Sequence, residues 1–130
     1  MASENIFEDA EVISVYTRAQ ALEDGVLRTL CLSDVAGFKH HVACTSGVWY
    51  ECVAVPDGVD SQDEQGRMWD VLSILNFSIK ALKGTKNIDT VYFQLKVRTS
   101  KGYEVKDLWA KCGPGDQGEP VITIMLVGED

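Results

Sequence analysis

Cys112-Gly113-Pro114-Gly115-Asp116-Gln117-Gly118-Glu119 runs directly into Pro120-Val121-Ile122-Thr123-Ile124-Met125-Leu126-Val127, a glycine-rich turn followed by the most β-prone stretch of the chain. An apolar, β-branched strand left unpaired would template aggregation. The segment is therefore expected inside the fold, with a sheet neighbour and a covering layer. Were Ile122, Ile124 and Leu126 exposed instead, this strand would be a docking edge. The turn's glycines invite a phosphate-cradle reading, but a strand follows them rather than a helix, so no helix N-terminus awaits an anion. A tight β-turn accounts for them.

Working outward, Thr90–Arg98 alternates cleanly, Ser100-Lys101-Gly102 turns, and Tyr103–Lys111 alternates again, which predicts a β-hairpin. Val91, Phe93, Leu95 and Val97 should point inward, with Val105 and either Leu108 or Trp109; Tyr92, Gln94, Lys96 and Arg98 should face solvent. The terminal strand beside this hairpin makes an antiparallel meander. Upstream, Met68, Trp69, Val71, Leu72, Leu75, Ile79 and Leu82 recur at three- and four-residue steps, predicting a long core helix over Arg67–Lys83 that Gly84 stops. A second helix begins at Thr45 or Ser46, with Val48, Trp49, Cys52 and Val53 on one stripe and Pro56-Asp57-Gly58 at its end. Thr17 caps a short helix over Ala19–Asp24 that Gly25 stops. Val12–Tyr16 reads as a strand, Val26–Leu32 as an extended piece and Ser33–Gly37 as one helical turn. The three tryptophans, on three elements, are expected to meet in one core.

The expected fold is thus α+β: an antiparallel sheet of three strands, with room for a fourth and a fifth, and one long and two shorter helices packed on one face. Residues 1–10 form an acidic arm, and 11–130 a single domain. The 130 residues are 45% hydrophobic, enough for one core. Twenty acidic against twelve basic residues give a net charge of −8, which repels nucleic acid and anionic membranes and favours basic protein partners. No stretch approaches the ~18 to 20 apolar residues of a membrane span, and no secretory leader opens the chain, so a cytoplasmic location is expected.

Cys31, Cys44, Cys52 and Cys112 form no C-x-x-C pair, and as cytosolic cysteines they should be reduced thiols. His40-His41 with Cys44 and Cys52 can be drawn as a metal cluster, but adjacent histidines rarely share an ion and no carboxylate completes the set. Neither metal nor cofactor is expected. Cys44 with His40 is the nearest approach to a nucleophile and base, on a spacing that packing explains as well. Asp57, Asp60, Asp63 and Glu64 lie in a stretch almost without apolar residues. Lacking the ligand order of a calcium loop, they stand as candidates for binding a partner.

One pattern points to an enzyme. Val15-Tyr16-Thr17-Arg18, then Leu22-Glu23-Asp24-Gly25-Val26-Leu27, is similar to the opening of small ADP-ribosyltransferase domains. That resemblance implies that Arg18 holds a dinucleotide, Thr45 or Ser46 supports it, and Glu104 or Glu119 orients the ribose hydroxyl. A strand followed by a capped helix explains the same residues.

A wider resemblance runs through Tyr16–Leu27, Gly37-Phe38, Val48-Trp49, Gln65–Leu72, Cys112–Asp116 and Pro120–Leu126 to Gly128-Glu129-Asp130. From Ile13 to Asp130 the chain resembles a small family of uncharacterised domains from phages, prophages, plasmids and other bacterial mobile elements, although Val127 stands where that family usually has proline. The resemblance implies a setting rather than a reaction. The expected function is a non-catalytic protein that binds a host protein with a basic surface, such as an anti-CRISPR or other anti-defence inhibitor. An NAD-binding transferase and a self-assembling homo-oligomeric module are the two alternatives.

Overall fold

The structure, a computed structural model, describes residues 16–82 and 89–129. The expected arm, most of the expected Val12–Tyr16 strand and the Gly84 stop lie outside the described residues. In chain order the elements are α1 (Arg18–Asp24), β1 (Leu27–Thr29), β2 (His41–Thr45), α2 (Ser46–Val48) continuing as a π-helical turn over Trp49–Val53, α3 (Glu64–Ala81), β3 (Thr90–Thr99), β4 (Gly102–Pro114) and β5 (Pro120–Leu126). No helix among the described residues is long and apolar enough to cross a membrane.

The strands form one five-stranded sheet in the order β1-β2-β5-β4-β3. The α+β class and the C-terminal meander are as expected: β3 pairs β4 from Thr90↔Lys111 to Thr99↔Gly102, and β4 pairs β5 from Leu108↔Leu126 to Pro114↔Pro120, both antiparallel. β5 is interior, with Ile122 and Ile124 buried, and so is no docking edge. Its other neighbour is β2, which pairs with it in parallel, His41↔Val121 through Cys44↔Ile124. The sheet is therefore mixed. A parallel pair needs a long crossover, and the helices and hairpin between residues 45 and 120 supply it.

The pleat sorts the strands' side chains onto two faces. On one, Met68, Val71, Leu72 and Leu75 of α3 recur at helical spacing and pack with Val48, Trp49, Cys52 and Val53 against Val42, Cys44, Phe93, Leu95, Val97, Leu108, Ala110, Ile122 and Ile124. Fully burying each large aliphatic side chain here contributes about 1.5–3 kcal/mol. α3 starts three residues before the expected Arg67 because the Asp63 carboxylate caps it, accepting the Gly66 N–H.

The reverse face departs from expectation. Ala43 and Val121 are buried there, outside the main core, and beside them α1 buries Ala21. One of the two short helices thus packs opposite α3 rather than with it. The hairpin has no bulge, so its unbroken register turns Leu108 inward and leaves Val105 outward and 60% exposed. Nor do the tryptophans meet. Trp49 is in the core beneath Arg28, Trp69 is exposed on α3, and Trp109 stacks on Tyr92 on the reverse face.

Candidate functional site

At Thr17 the chain enters α1 through a reciprocal cap. The Thr17 hydroxyl accepts the Gln20 N–H at 3.0 Å, and the Gln20 side chain accepts the Thr17 N–H at 2.9 Å. Gly25, at φ +80°, ends the helix in the left-handed conformation glycine adopts without strain. Two further amides at the helix start, those of Arg18 and Ala19, donate to the Asp116 carboxylate at 2.8 and 3.0 Å. The glycine turn thus delivers a carboxylate of its own to the start of α1. Gly118, at φ +81°, and the Gly118 N–H to Gly115 carbonyl bond close that turn.

From the same point Arg18 reaches across the reverse face. Its guanidinium donates to the Thr123 hydroxyl at 2.6 Å, the Ile122 carbonyl at 3.1 Å and His41 Nδ1 at 3.3 Å. With Nδ1 accepting, Nε2 of the neutral His41 ring carries the proton and donates to the Thr29 hydroxyl at 3.0 Å. Burial, and then the Arg18 charge, push the His41 pKa down. The two backbone N–H bonds hold the Asp116 carboxyl below its ordinary range. Arg18, Ala19, Leu22, His41, Asp116, Glu119 and Val121 line a cleft of about 220 Å³.

The arrangement is a clasp between helix, turn and sheet. Arg18 and Glu119 lie at this end, where Glu119 accepts the Gln117 N–H at 2.9 Å and its carboxylate rests over Gly115, 2.5 Å from where a β-carbon would sit. Glu104 is not brought to them. It stands seven residues along β4 from Lys111, about 23 Å at the rise of an extended strand, and pairs with Lys106 at 3.5 Å. Thr45, offered as a support for the ribose, instead caps α2 by accepting the Val48 N–H at 3.3 Å, with Ser46 the first residue of that helix.

Cys44 and His40 do not form a nucleophile and base. Cys44 points into the core from β2, where burial pushes its thiol up to about 12, and the Cys52 thiol is pushed up to about 11. All four cysteines are free thiols, Cys31 and Cys112 exposed. Among the described residues no three His, Cys, Asp or Glu side chains converge as a metal site.

The acidic candidates collect at the start of α3. Asp57 and Asp60 are exposed in the preceding loop, Asp63 is the cap and Glu64 opens the first turn, where negative charge suits the helix dipole. Just beyond, the solvent side of α3 exposes Trp69 at 42%, Ile74 at 37% and Phe77 at 73%. The helical pattern did not separate this stripe from the buried one, because apolar residues occur all round the helix. A second surface was missed as well: Tyr92, Tyr103 and Trp109 share the hairpin half of the reverse face, on which no described helix lies, with Lys96, Arg98 and Lys111. Only the outward turn of Trp109 hid its continuity.

No curated protein and no solved structure matches the chain. With residues 3–130 matched by the model of the family of unknown function DUF6573, the chain belongs to that family.

Proposed function

We propose that this chain is a non-catalytic binding protein of a bacterial phage or other mobile element, acting in the host cytoplasm on a host protein with a basic surface. The observation that carries this reading is the solvent side of α3. Trp69, Ile74 and Phe77 are large exposed side chains along α3, whose first turn and preceding loop carry the acidic group of Asp57, Asp60, Asp63 and Glu64; Trp69 is five residues from Glu64, while Phe77 is thirteen residues on, about 20 Å up the helix. A desolvated aromatic anchor supplies affinity, while neighbouring charge selects the sign of the partner and speeds encounter. The matched family carries no activity to weigh against this, and the mobile-element resemblance supports a defence or nucleic-acid-processing complex as the target.

Affinity capture from a bacterial host lysate tests the proposal. The wild-type chain should retain such a protein and Trp69→Ser should lose it, with at least tenfold less recovered; recovery of none by the wild type would overturn the reading. The transferase alternative requires NAD binding. Because Arg18 is committed to Thr123, Ile122 and His41 while Glu104 sits at the far end of β4, calorimetry with NAD should give no heat.

A further inference from the structure

The hairpin residues 90–114 carry five basic side chains, Lys96, Arg98, Lys101, Lys106 and Lys111, against two acidic ones, Glu104 and Asp107, for a net charge of +3. The remainder of the chain carries −11. An acidic protein has thus gathered nearly half of its cations on one hairpin. The register divides them further. Lys106 and Glu104 are on the face of α3, where Lys106 also pairs with Glu51 at 3.0 Å. Lys96, Arg98 and Lys111 are on the reverse face, with Lys101 in the turn at its end. The acid on that side, Asp107, is bonded by the Gln94 amide at 2.8 Å.

Between these cations lie rings. Tyr92 and Tyr103 are 69% and 60% exposed, and Trp109 lies 6.1 Å from Tyr92 in a stacked pair at 20°. Lys96 Nζ stands 5.0 Å from the Tyr103 ring centre and the Arg98 guanidinium carbon 5.5 Å, so cations and rings already touch. From Tyr103 to Lys111 the strip is about 27 Å long at the rise of an extended strand. α1 covers the other half of this sheet face, and no other described helix lies on the hairpin half, where Tyr92, Lys96, Tyr103 and Lys111 are exposed and Arg98 and Trp109 half-buried.

We propose that this face binds single-stranded nucleic acid, its bases stacking on Tyr92, Tyr103 and Trp109 and its phosphates meeting Lys96, Arg98 and Lys111. Open rings on a sheet accept any base, because every base has a π-face, and flanking cations follow the backbone. The rings and Arg98 would suit a protein interface as well; what favours a polyphosphate is the lysine, which is depleted in the cores of protein interfaces but serves well as a phosphate counter-charge, and the hairpin's net charge of +3. The chain's overall negative charge, which argues against nucleic acid for the molecule as a whole, acts weakly here. At physiological salt, charges more than about 8 Å away are largely screened; Asp57, Asp60, Asp63 and Glu64 lie with α3 on the far side of the sheet, and of the acids on this face Asp107 is bonded by Gln94 and Asp116 by the first amides of α1, with Glu119 beside Asp116 in the turn. This site is separate from the α3 surface proposed to meet a host protein.

The test uses the full purified chain and a fluorescently labelled twenty-nucleotide oligo-dT, read by anisotropy, with no host protein present, so its outcome is independent of the capture experiment. Binding at low salt is expected, weakening as salt rises by a log–log slope of about 0.7 for each phosphate contacted. Tyr92→Ser and Tyr103→Ser should each weaken it about tenfold or more, while Tyr92→Phe, which keeps the ring, should retain it. Lys96→Glu with Arg98→Glu should abolish it, and Trp69→Ser should leave it unchanged. No anisotropy change at low salt would overturn the proposal, as would binding indifferent to the face variants. Displacement by poly-glutamate at equal charge concentration would overturn it in favour of an acidic protein segment, and equal competition by duplex DNA would rule out stacking.

Discussion

The two halves of the reverse sheet face are built from the same pleat and end in opposite states. Over β1, β2 and β5 the outward residues include the small or modest Ala43, Val121 and Thr123, with His41 and Met125 on the same face, and α1 packs down there, holding on through Arg18 and Asp116. Over β3 and β4 the outward residues are Tyr92, Lys96, Tyr103, Val105 and Trp109, and no described helix lies on them. Small side chains let a helix approach the sheet, and a long cation such as Arg18 can then bond to strand groups from above. Rings and lysines hold a neighbour away and are best satisfied by something planar or anionic. What covers a sheet face is thus written in the size of its outward residues.

Substitutions across the sheet can break or sharpen this contrast. Ile124→Ala removes a fully buried side chain from the central strand and should be the most damaging, at about 2–5 kcal/mol in urea unfolding; a smaller loss would mean that α3 collapses into the gap. Arg18→Ala strips the covered half of its clasp, leaving the Thr123 hydroxyl and the Ile122 carbonyl without their charged donor, and should cost about 1.5–3 kcal/mol. Hydrogen exchange should then quicken in α1 while β3 and β4 keep their protection. Equal loosening of the hairpin would show the halves to be coupled.

A smaller effect should follow pH. The folded His41 pKa is depressed, by burial first and by the Arg18 charge second, and only the neutral ring accepts from Arg18. Its contribution is therefore complete above the ordinary histidine value of about 6.5 and is lost as pH falls below it. Melting curves between pH 7.5 and 5 should show the wild type losing stability relative to His41→Gln, and parallel pH profiles would remove His41 from the clasp. Asp116, also depressed, should keep its bonds to α1 through this window and release them only in stronger acid. Smallest of all, Tyr92→Ser on the hairpin half should change stability by no more than about 0.5 kcal/mol, in keeping with a ring that mostly faces solvent. A larger loss would mean that its stack on Trp109 is structural.

Much of the fold was legible in local pattern. The Thr17 to Gln20 cap with Gly25, the alternation from Thr90 to Lys111, and the Met68, Val71, Leu72, Leu75 spacing each follow from a few neighbouring residues. β2 was not foreseen because His41–Thr45 is buried between α1 and the main core, and a strand covered on both faces shows no alternation. Val105 was misplaced because it alternates in step with Trp109 and not with Leu108, so the register that buries Leu108 turns Val105 to the face opposite α3. The clasp escaped for a different reason: Arg18 finds Asp116 ninety-eight positions away, a distance at which no spacing rule operates. The same residue, read from its own neighbourhood, suggested a grip on NAD.

The parallel pairing of His41 with Val121 joins residues eighty positions apart. A pairing so distant in sequence is slow to find, since the loop must close before any contact rewards it. During translation β2 emerges long before β5 exists, so Val42 and Cys44 wait without their central neighbour while the hairpin can form from its own residues. The timing of synthesis therefore sets the hazard of this fold: an early, half-made sheet with an open β2, completed only when the last strand slots between two partners already in place.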